Sequence, residues 1–175
     1  MMAAAAQLPF VPLEEYLHSS YEPDAEYVDG VIEERPAGEW NHSSWQAAIL
    51  DFYWRRSREW DIRVRLNLRI QVHSTRFRIP DVTVLDRNLP VEQVITHPPI
   101  AVFEVLSPED SVTRMMTKLG DYEQMGIKTI LVLDPDGKHF RFRAGALEPL
   151  TETAFDLPGS KCRFDLDEIV KLLDE

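Results

Sequence analysis

The sequence predicts an α/β or α+β domain built on a mixed, strongly twisted sheet. Three observations indicate this fold. Residues 62–72 alternate apolar and polar side chains, as a half-buried strand does. Residues 78–85 and 100–106 predict two more strands, and the second is apolar on both faces, as a central strand is. A helical segment and another buried strand within 127–137 follow, so we expect a βαβ unit with parallel strands.

The amino-terminal part of the chain supplies two helices and a hairpin. Residues 11–20 suit a short helix because their leucines are four positions apart. Asp29-Gly30 lies between two runs of strand-forming residues, which is the strongest short signal for a hairpin. The stretch NHSSWQAAILDFYWRRSREW predicts a long helix, and Asn41 or Ser43 can cap its start.

The carboxy-terminal part completes the sheet and closes the chain with a helix. The helix of the βαβ unit is predicted to start with Ser107 as its cap and Pro108 as its first residue, and to end at Gly126. KHFRFRAG and LEPLTET predict an antiparallel addition at the edge of the sheet. FDLDEIVKLLDE predicts an amphipathic helix capped near Asp165.

Length and composition limit the classes of protein that fit. A chain of 175 residues is long enough for one domain with a proper core, so residues 1–175 are interpreted as a single domain. No apolar run reaches the length of a membrane span, and the first ten residues lack the basic start of a signal peptide. The single cysteine, Cys162, fits a reducing compartment, so we expect a cytoplasmic protein.

The charge of the chain is unevenly distributed. The formal net charge of −11 argues against a nucleic-acid partner, because phosphates repel an acidic surface. Residues 51–80, however, contain eight arginines and three acids, a net charge of +5, which leaves −16 on the rest of the chain. This window is either a phosphate-binding face or a solvated face whose arginines pair with acids elsewhere.

Two acids occur where buried strands should be apolar. Asp81 follows Pro80 in RIPDVTVLD, and Glu104 lies between apolar residues in AVFEVL. Asp81 alone could belong to a turn, and Glu104 alone could pair with an arginine. If their strands are neighbours, the two carboxylates repel each other unless a cation lies between them. Carboxylates suit Mg²⁺ or Mn²⁺ better than Zn²⁺, and such an ion promotes phosphodiester hydrolysis.

The order of these motifs resembles the Uma-two family of restriction endonucleases, within the PD-(D/E)XK nuclease superfamily. The resemblance covers nearly the whole chain, and its most specific parts are EVLSP and the YxxxGI…VLDP run. It implies a restriction-endonuclease-like core, in which helices flank a central mixed twisted sheet and a metal-dependent nuclease site lies at one end of that sheet. The resembling stretches are EYVDGVIEERP at 26–36, NHSSW at 41–45, RIPDVTVLD at 78–86, AVFEVLSPED at 101–110 and KLGDYEQMGIKTILVLDPDG at 118–137.

The resemblance also implies roles for single residues. Asp81 and Glu104 match the two metal-binding acids, and Glu26 matches a position that often adds a third carboxylate ligand. The superfamily lysine expected two residues after the second acid is replaced by Leu106. Lys118, on the following helix, matches the lysine of the Uma-two pattern and takes the catalytic role.

Other positions are predicted to bind the substrate or depart from the family. His42 matches a family histidine that could contact phosphate, although a histidine at a helix start is often structural. Family members usually carry an acid near position 114, where this chain has Arg114. The arginines predicted to contact the nucleic-acid backbone are Arg63, Arg65, Arg69, Arg76 and Arg78.

The sequence therefore predicts a metal-dependent endonuclease that hydrolyses phosphodiester bonds in DNA with Mg²⁺ or Mn²⁺. Two alternatives stay open. One is a catalytically inactive module on the same fold that binds nucleic acid or another protein. The other is a nuclease that acts on RNA or on a small nucleotide. A homodimer is expected if the enzyme cuts two strands, because a two-fold axis relates two sites to the two strands of a duplex.

Overall fold

The computed structural model describes residues 8–174. The sequence of the first ten residues predicts that they are not a signal peptide, and most of them lie outside the described residues. The helices are α1 (Leu13–Leu17), α2 (Trp40–Arg55), α3 (Val112–Met125) and α4 (Leu166–Lys171). The strands are β1 (Ala25–Val28), β2 (Val31–Glu34), β3 (Ile62–Leu66), β4 (Ile70–His73), β5 (Arg76–Arg78), β6 (Val82–Asp86), β7 (Ala101–Val105), β8 (Thr129–Leu133), β9 (His139–Arg143), β10 (Ala146–Pro149), β11 (Ala154–Asp156) and β12 (Arg163–Asp165).

A six-stranded mixed sheet forms the centre of the fold, in the order β10-β9-β8-β7-β6-β3. Its neighbouring strands are antiparallel except for β7 and β8, which are parallel and are connected through α3. This is the predicted βαβ unit, and the predicted mixed sheet with flanking helices is confirmed. The β9–β10 hairpin at the edge is also as predicted, whereas β11 and β12 form a small separate sheet that the sequence did not indicate.

The two faces of the central sheet bury different helices. Along β7, Phe103 and Val105 belong to the apolar core that contains α2 and α4. Val102 belongs to a second core, which contains α3 residues such as Leu119 and Tyr122. Because strand side chains alternate between faces, Glu104 points to the same face as Val102, toward α3. The only acid of β7 therefore faces the helix that follows it.

The predicted strand 62–72 is wrong as a single element. The chain forms β3 in the central sheet, turns at Asn67 with a φ of 48°, and then forms β4 in a second sheet with the order β2-β1-β5-β4. Both strands bury one face, so the alternation of apolar and polar residues continues through the break between them. The periodicity of the sequence alone therefore does not reveal that the strand is broken.

Two predicted helix starts are also displaced. Glu39, and neither Asn41 nor Ser43, is the N-cap of α2, and it makes no side-chain cap. Ser111 caps α3 by accepting a hydrogen bond from the Arg114 amide. The Ser107 amide instead donates to Asp110 at 2.7 Å, so residues 107–110 form a turn before the helix.

Other local predictions are confirmed. The β1–β2 hairpin turns at Asp29 and Gly30, both with positive φ, a conformation that glycine adopts without steric cost. Gly126 ends α3 in the left-handed conformation, and Asp165 caps α4 by accepting from the Glu168 amide. Among the residues that the structure describes, no helix has the length and apolar character needed to cross a membrane.

Candidate active site

Asp81 and Glu104 lie side by side at one end of the central sheet. Val82 on β6 pairs with Phe103 on the antiparallel strand β7. The next residue outward on each strand is therefore one of the two acids. The Asp81 carboxylate also accepts a hydrogen bond from the Val105 amide at 2.7 Å, which ties it to the residue after Glu104. Both acids are buried.

Lys118 reaches this pair of acids from α3. Its ammonium lies 2.9 Å from Glu104 Oε1 and 2.8 Å from Glu26 Oε1, and it donates to the carbonyl of Ile79. Leu119 and Tyr122 pack α3 onto the sheet and thereby hold the lysine stem in the interior. The structure thus brings Glu26 and Glu104 each into direct contact with Lys118.

Burial makes the Glu104 carboxyl harder to ionise than a carboxyl in water. Burial, with Asp81 and Glu26 nearby, outweighs the attraction of Lys118 and raises the pKa of Glu104 to about 7. Tyr122 donates a hydrogen bond to Glu104 Oε1 at 2.7 Å. A second cation placed at Glu104 would remove this electrostatic penalty.

Two side chains outside the strands contact Asp81. The guanidinium of Arg35 binds Asp81 Oδ1 at 2.6 Å, and His42 Nε2 lies 3.3 Å from the same oxygen. Burial raises the pKa of Asp81, but the hydrogen bond from His42 and the charges of Lys118 and Arg35 outweigh burial and keep it below its usual value. The hydrogen bond to Asp81 in turn raises the pKa of His42.

Arg35 was missed by the sequence analysis. It follows β2 in the stretch EERP, and its contact with Asp81 joins residues that are 46 positions apart. Nothing in the local pattern distinguishes it from the other surface arginines. Asn67 accepts from the other end of the Arg35 guanidinium at 3.0 Å, so the residue that interrupts the predicted strand also positions Arg35.

Glu26 is held by cations on both of its oxygens. Oε1 binds Lys118 and accepts from the Ile79 amide at 2.9 Å, and Oε2 accepts from Arg78 at 3.1 Å. Burial raises the pKa of Glu26, but the charges of Lys118 and Arg78 outweigh burial and lower it. These contacts suit a residue that positions Lys118 better than they suit the predicted metal ligand.

Arg78 does not lie on the surface. It is 1% exposed and binds Asp121 at 2.7 Å, Glu33 at 3.0 Å and Glu26. Its burial argues against the predicted contact with nucleic acid, because its guanidinium is already surrounded by three carboxylates. Arg76 likewise bridges Asp29 and Asp121, although its side chain is partly exposed.

The remaining predicted arginines lie closer to solvent. Arg63 and Arg65 project from β3, and the second is exposed. Arg69, between β3 and β4, places its guanidinium 4.5 Å above the ring of Tyr16. Because the predicted strand is broken, the three do not form one continuous strand face.

A cleft opens over this cluster. Arg35, His42, Asp81, Arg114 and Lys118 are among the residues that line it, whereas Glu104 is not. Arg114, the departure from the family pattern, lies at the rim with half of its side chain exposed and its Nε 3.5 Å from Glu33. The cleft therefore combines acids on its floor with several cations on its walls.

The donor chemistry fits a divalent metal of the hard kind. No group of three or more histidine, cysteine, aspartate or glutamate side chains arranged to hold a metal occurs in residues 8–174. Mg²⁺ is commonly bound by only one or two carboxylates, with water and substrate phosphate completing its shell. Asp81 and Glu104 supply two such carboxylates side by side at the end of β6 and β7, and a bound cation would favour the ionised form of Glu104.

Comparisons with known proteins identify relatives of this chain. Residues 13–149 match the family model Uma2, whose description is "Putative restriction endonuclease". A crystal structure of a "putative nuclease belonging to DUF820" from Anabaena variabilis has the same fold, with a TM-score of 0.76 and 21% identity over 93% of this chain and 99% of that one. A chain of a DrdV–DNA complex gives a TM-score of 0.44 and 15% identity over 79% of this chain and 12% of that one. No match was found among curated proteins.

Proposed function

Because the chain belongs to the Uma2 family, whose model carries the description "Putative restriction endonuclease", we propose that residues 1–175 form one nuclease domain that hydrolyses phosphodiester bonds in DNA with Mg²⁺ or Mn²⁺. One observation carries the proposal. Two buried acids, one just before β6 and one on β7, converge with a buried lysine from the next helix, and a cleft lined by Asp81 and Lys118 opens beside them. Burying such charges is costly, so their convergence beside a cleft favours a functional role.

Asp81 and Glu104 are the proposed metal ligands. The bound ion would supply positive charge next to the scissile phosphate and favour the ionised form of a water molecule. Lys118 is placed to stabilise the negative charge that develops when water adds to phosphorus and one P–O ester bond breaks. Glu26, held by Arg78 and the Ile79 amide, keeps the Lys118 ammonium aimed at Glu104.

The substrate is expected to enter along the cations of the cleft. His42 and Arg114 line the cleft beside Asp81 and Lys118, where they can bind phosphate oxygens. Arg63, Arg65, Arg69 and the partly exposed Arg76 are further candidates for contacts with the nucleic-acid backbone, whereas the burial of Arg78 argues against such a contact.

A second function stays in consideration because cationic side chains already pair with both acids. Arg35 pairs with Asp81 and Lys118 pairs with Glu104, as would be expected in a nucleic-acid-binding module that has lost catalysis. Catalysis and binding alone make different predictions for a cleavage assay.

The test is cleavage of supercoiled DNA by the wild type in Mg²⁺, in Mn²⁺ and in EDTA. Lys118→Ala should reduce turnover by about 10²-fold or more, the usual loss for removing one charge-stabilising group. Lys128→Ala, which removes an exposed lysine near the start of β8, is the matched control and should cleave at the wild-type rate. Equal cleavage by both variants would refute the role of Lys118, and binding without cleavage in any metal would favour the inactive module.

A further inference from the structure

Arg35 binds a carboxylate oxygen of Asp81 that would have to be free for Asp81 to bind a metal ion. Its Nη2 lies 2.6 Å from Asp81 Oδ1, and the same oxygen faces His42 at 3.3 Å. The other Asp81 oxygen accepts from the Val105 amide. In this state, therefore, a cation and a backbone donor already satisfy the carboxylate that the proposed function assigns to a metal.

The surroundings of Arg35 suit a side chain that can move. Its other contact is with Asn67 Oδ1 at 3.0 Å, and Asn67 is an exposed residue that also accepts from Gln46. The guanidinium lines the cleft and keeps part of its surface in contact with solvent. Arg78 is the contrasting case, because three buried or partly buried carboxylates enclose it.

We propose that Arg35 is a built-in counter-ion that covers Asp81 when no metal is bound, is displaced by the metal, and then binds a phosphate of the substrate. An arginine suits both positions, because its planar guanidinium pairs equally well with a carboxylate and with a phosphate. The exchange keeps a cation in contact with Asp81 whether or not a metal is bound. It also explains why Asp81 pairs with an arginine in this structure. The inference rests on the proposed function, since it needs a metal at Asp81.

The first experiment measures Mn²⁺ affinity without DNA by isothermal titration calorimetry. Arg35→Gln should bind Mn²⁺ about tenfold or more tightly than the wild type, because the metal no longer competes with a charge in contact with Asp81. Arg114→Gln is the matched control. It removes one positive charge from the same cleft, but Arg114 pairs with Glu33 and not with Asp81. An equal gain in both variants would refute displacement and leave only a general electrostatic effect.

A measurement on the wild type keeps the test independent of any variant. The ¹⁵N signal of the Arg35 side chain, assigned in the folded protein, should shift as Mg²⁺ saturates the site. The signal of Arg78, which stays buried among its carboxylates, should not shift. An Arg35 signal that is unchanged at saturating Mg²⁺ would overturn the proposal.

The phosphate contact is tested separately, with duplex DNA binding measured in Ca²⁺ over a range of salt concentrations. Arg35→Gln should lower the slope of log affinity against log salt by about one unit, and unchanged DNA binding would overturn the switch even if Mn²⁺ bound more tightly. Failure of the proposed function gives a different result. In that case neither the wild type nor Arg35→Gln would bind Mn²⁺.

Discussion

Glu104→Gln should make the metal-free protein less sensitive to rising pH, because it removes a buried carboxyl whose pKa is raised. The pKa of this buried carboxyl is raised from 4.5 to about 7. Between these values the folded state binds a proton that the unfolded state has lost, so the free energy of unfolding falls as the pH rises. The amide resembles the protonated carboxyl and can still accept from Tyr122, so the variant escapes this loss.

The size of the effect follows from the difference between the two pKa values. Each unit corresponds to about 1.4 kcal/mol, so the full penalty is about 3 kcal/mol. Part of it is already present near pH 5, because the unfolded carboxyl is then largely ionised. The free energy of unfolding of Glu104→Gln, relative to that of the wild type, should therefore increase by roughly 2–3 kcal/mol between about pH 5 and pH 8.

Urea unfolding in EDTA at several pH values measures this difference directly. Glu152→Gln, which removes an exposed carboxyl from the loop after β10, is the control and should follow the wild-type pH profile. Mg²⁺ should reduce the wild-type deficit, because a ligand that binds only the folded state stabilises it. Parallel pH profiles of stability for the wild type and Glu104→Gln would refute the claim that burial raises the pKa of Glu104.

Three further predictions follow from the other contacts of the site. Mn²⁺ should raise the melting temperature of the wild type, measured by calorimetry, and should raise that of Asp81→Asn much less. An equal rise in both proteins would show that Asp81 is not a metal ligand. Replacing Arg63 and Arg65 with glutamine should flatten the salt dependence of DNA binding by about one unit per lost phosphate contact, and an unchanged slope would place the phosphate surface elsewhere. Asp121→Asn should lower the free energy of unfolding by about 3 kcal/mol, because it removes a partner from a buried guanidinium, and a loss well under 1 kcal/mol in urea unfolding would contradict that account.

The parts of the fold that the sequence predicted are those fixed by local signals. The hairpin at Asp29-Gly30 follows from the two residues that tolerate positive φ, and the end of α3 follows from Gly126. Two acids in apolar strand regions indicated the cluster around Asp81 and Glu104. The resemblance to the family indicated Lys118, and the geometry then placed its ammonium 2.9 Å from Glu104.

The parts that the sequence did not predict depend on contacts between distant residues. Whether an arginine in a basic window lies on the surface depends on which acids the fold brings to it. Arg78 meets Glu26, 52 positions away, and Asp121, 43 positions away. Arg35 meets Asp81 in the same way, so its place in the site becomes visible only when the fold brings the residue after β2 beside Asp81.

The central claim is that Asp81 and Glu104 bind the metal of a nuclease site with Lys118 beside it. The most direct measurement is an anomalous difference map from crystals soaked in Mn²⁺. The account predicts one peak in contact with carboxylate oxygens of both acids, with the Arg35 guanidinium withdrawn from Asp81. A peak at other residues, or no peak under conditions in which the protein cleaves DNA in Mn²⁺, would contradict it.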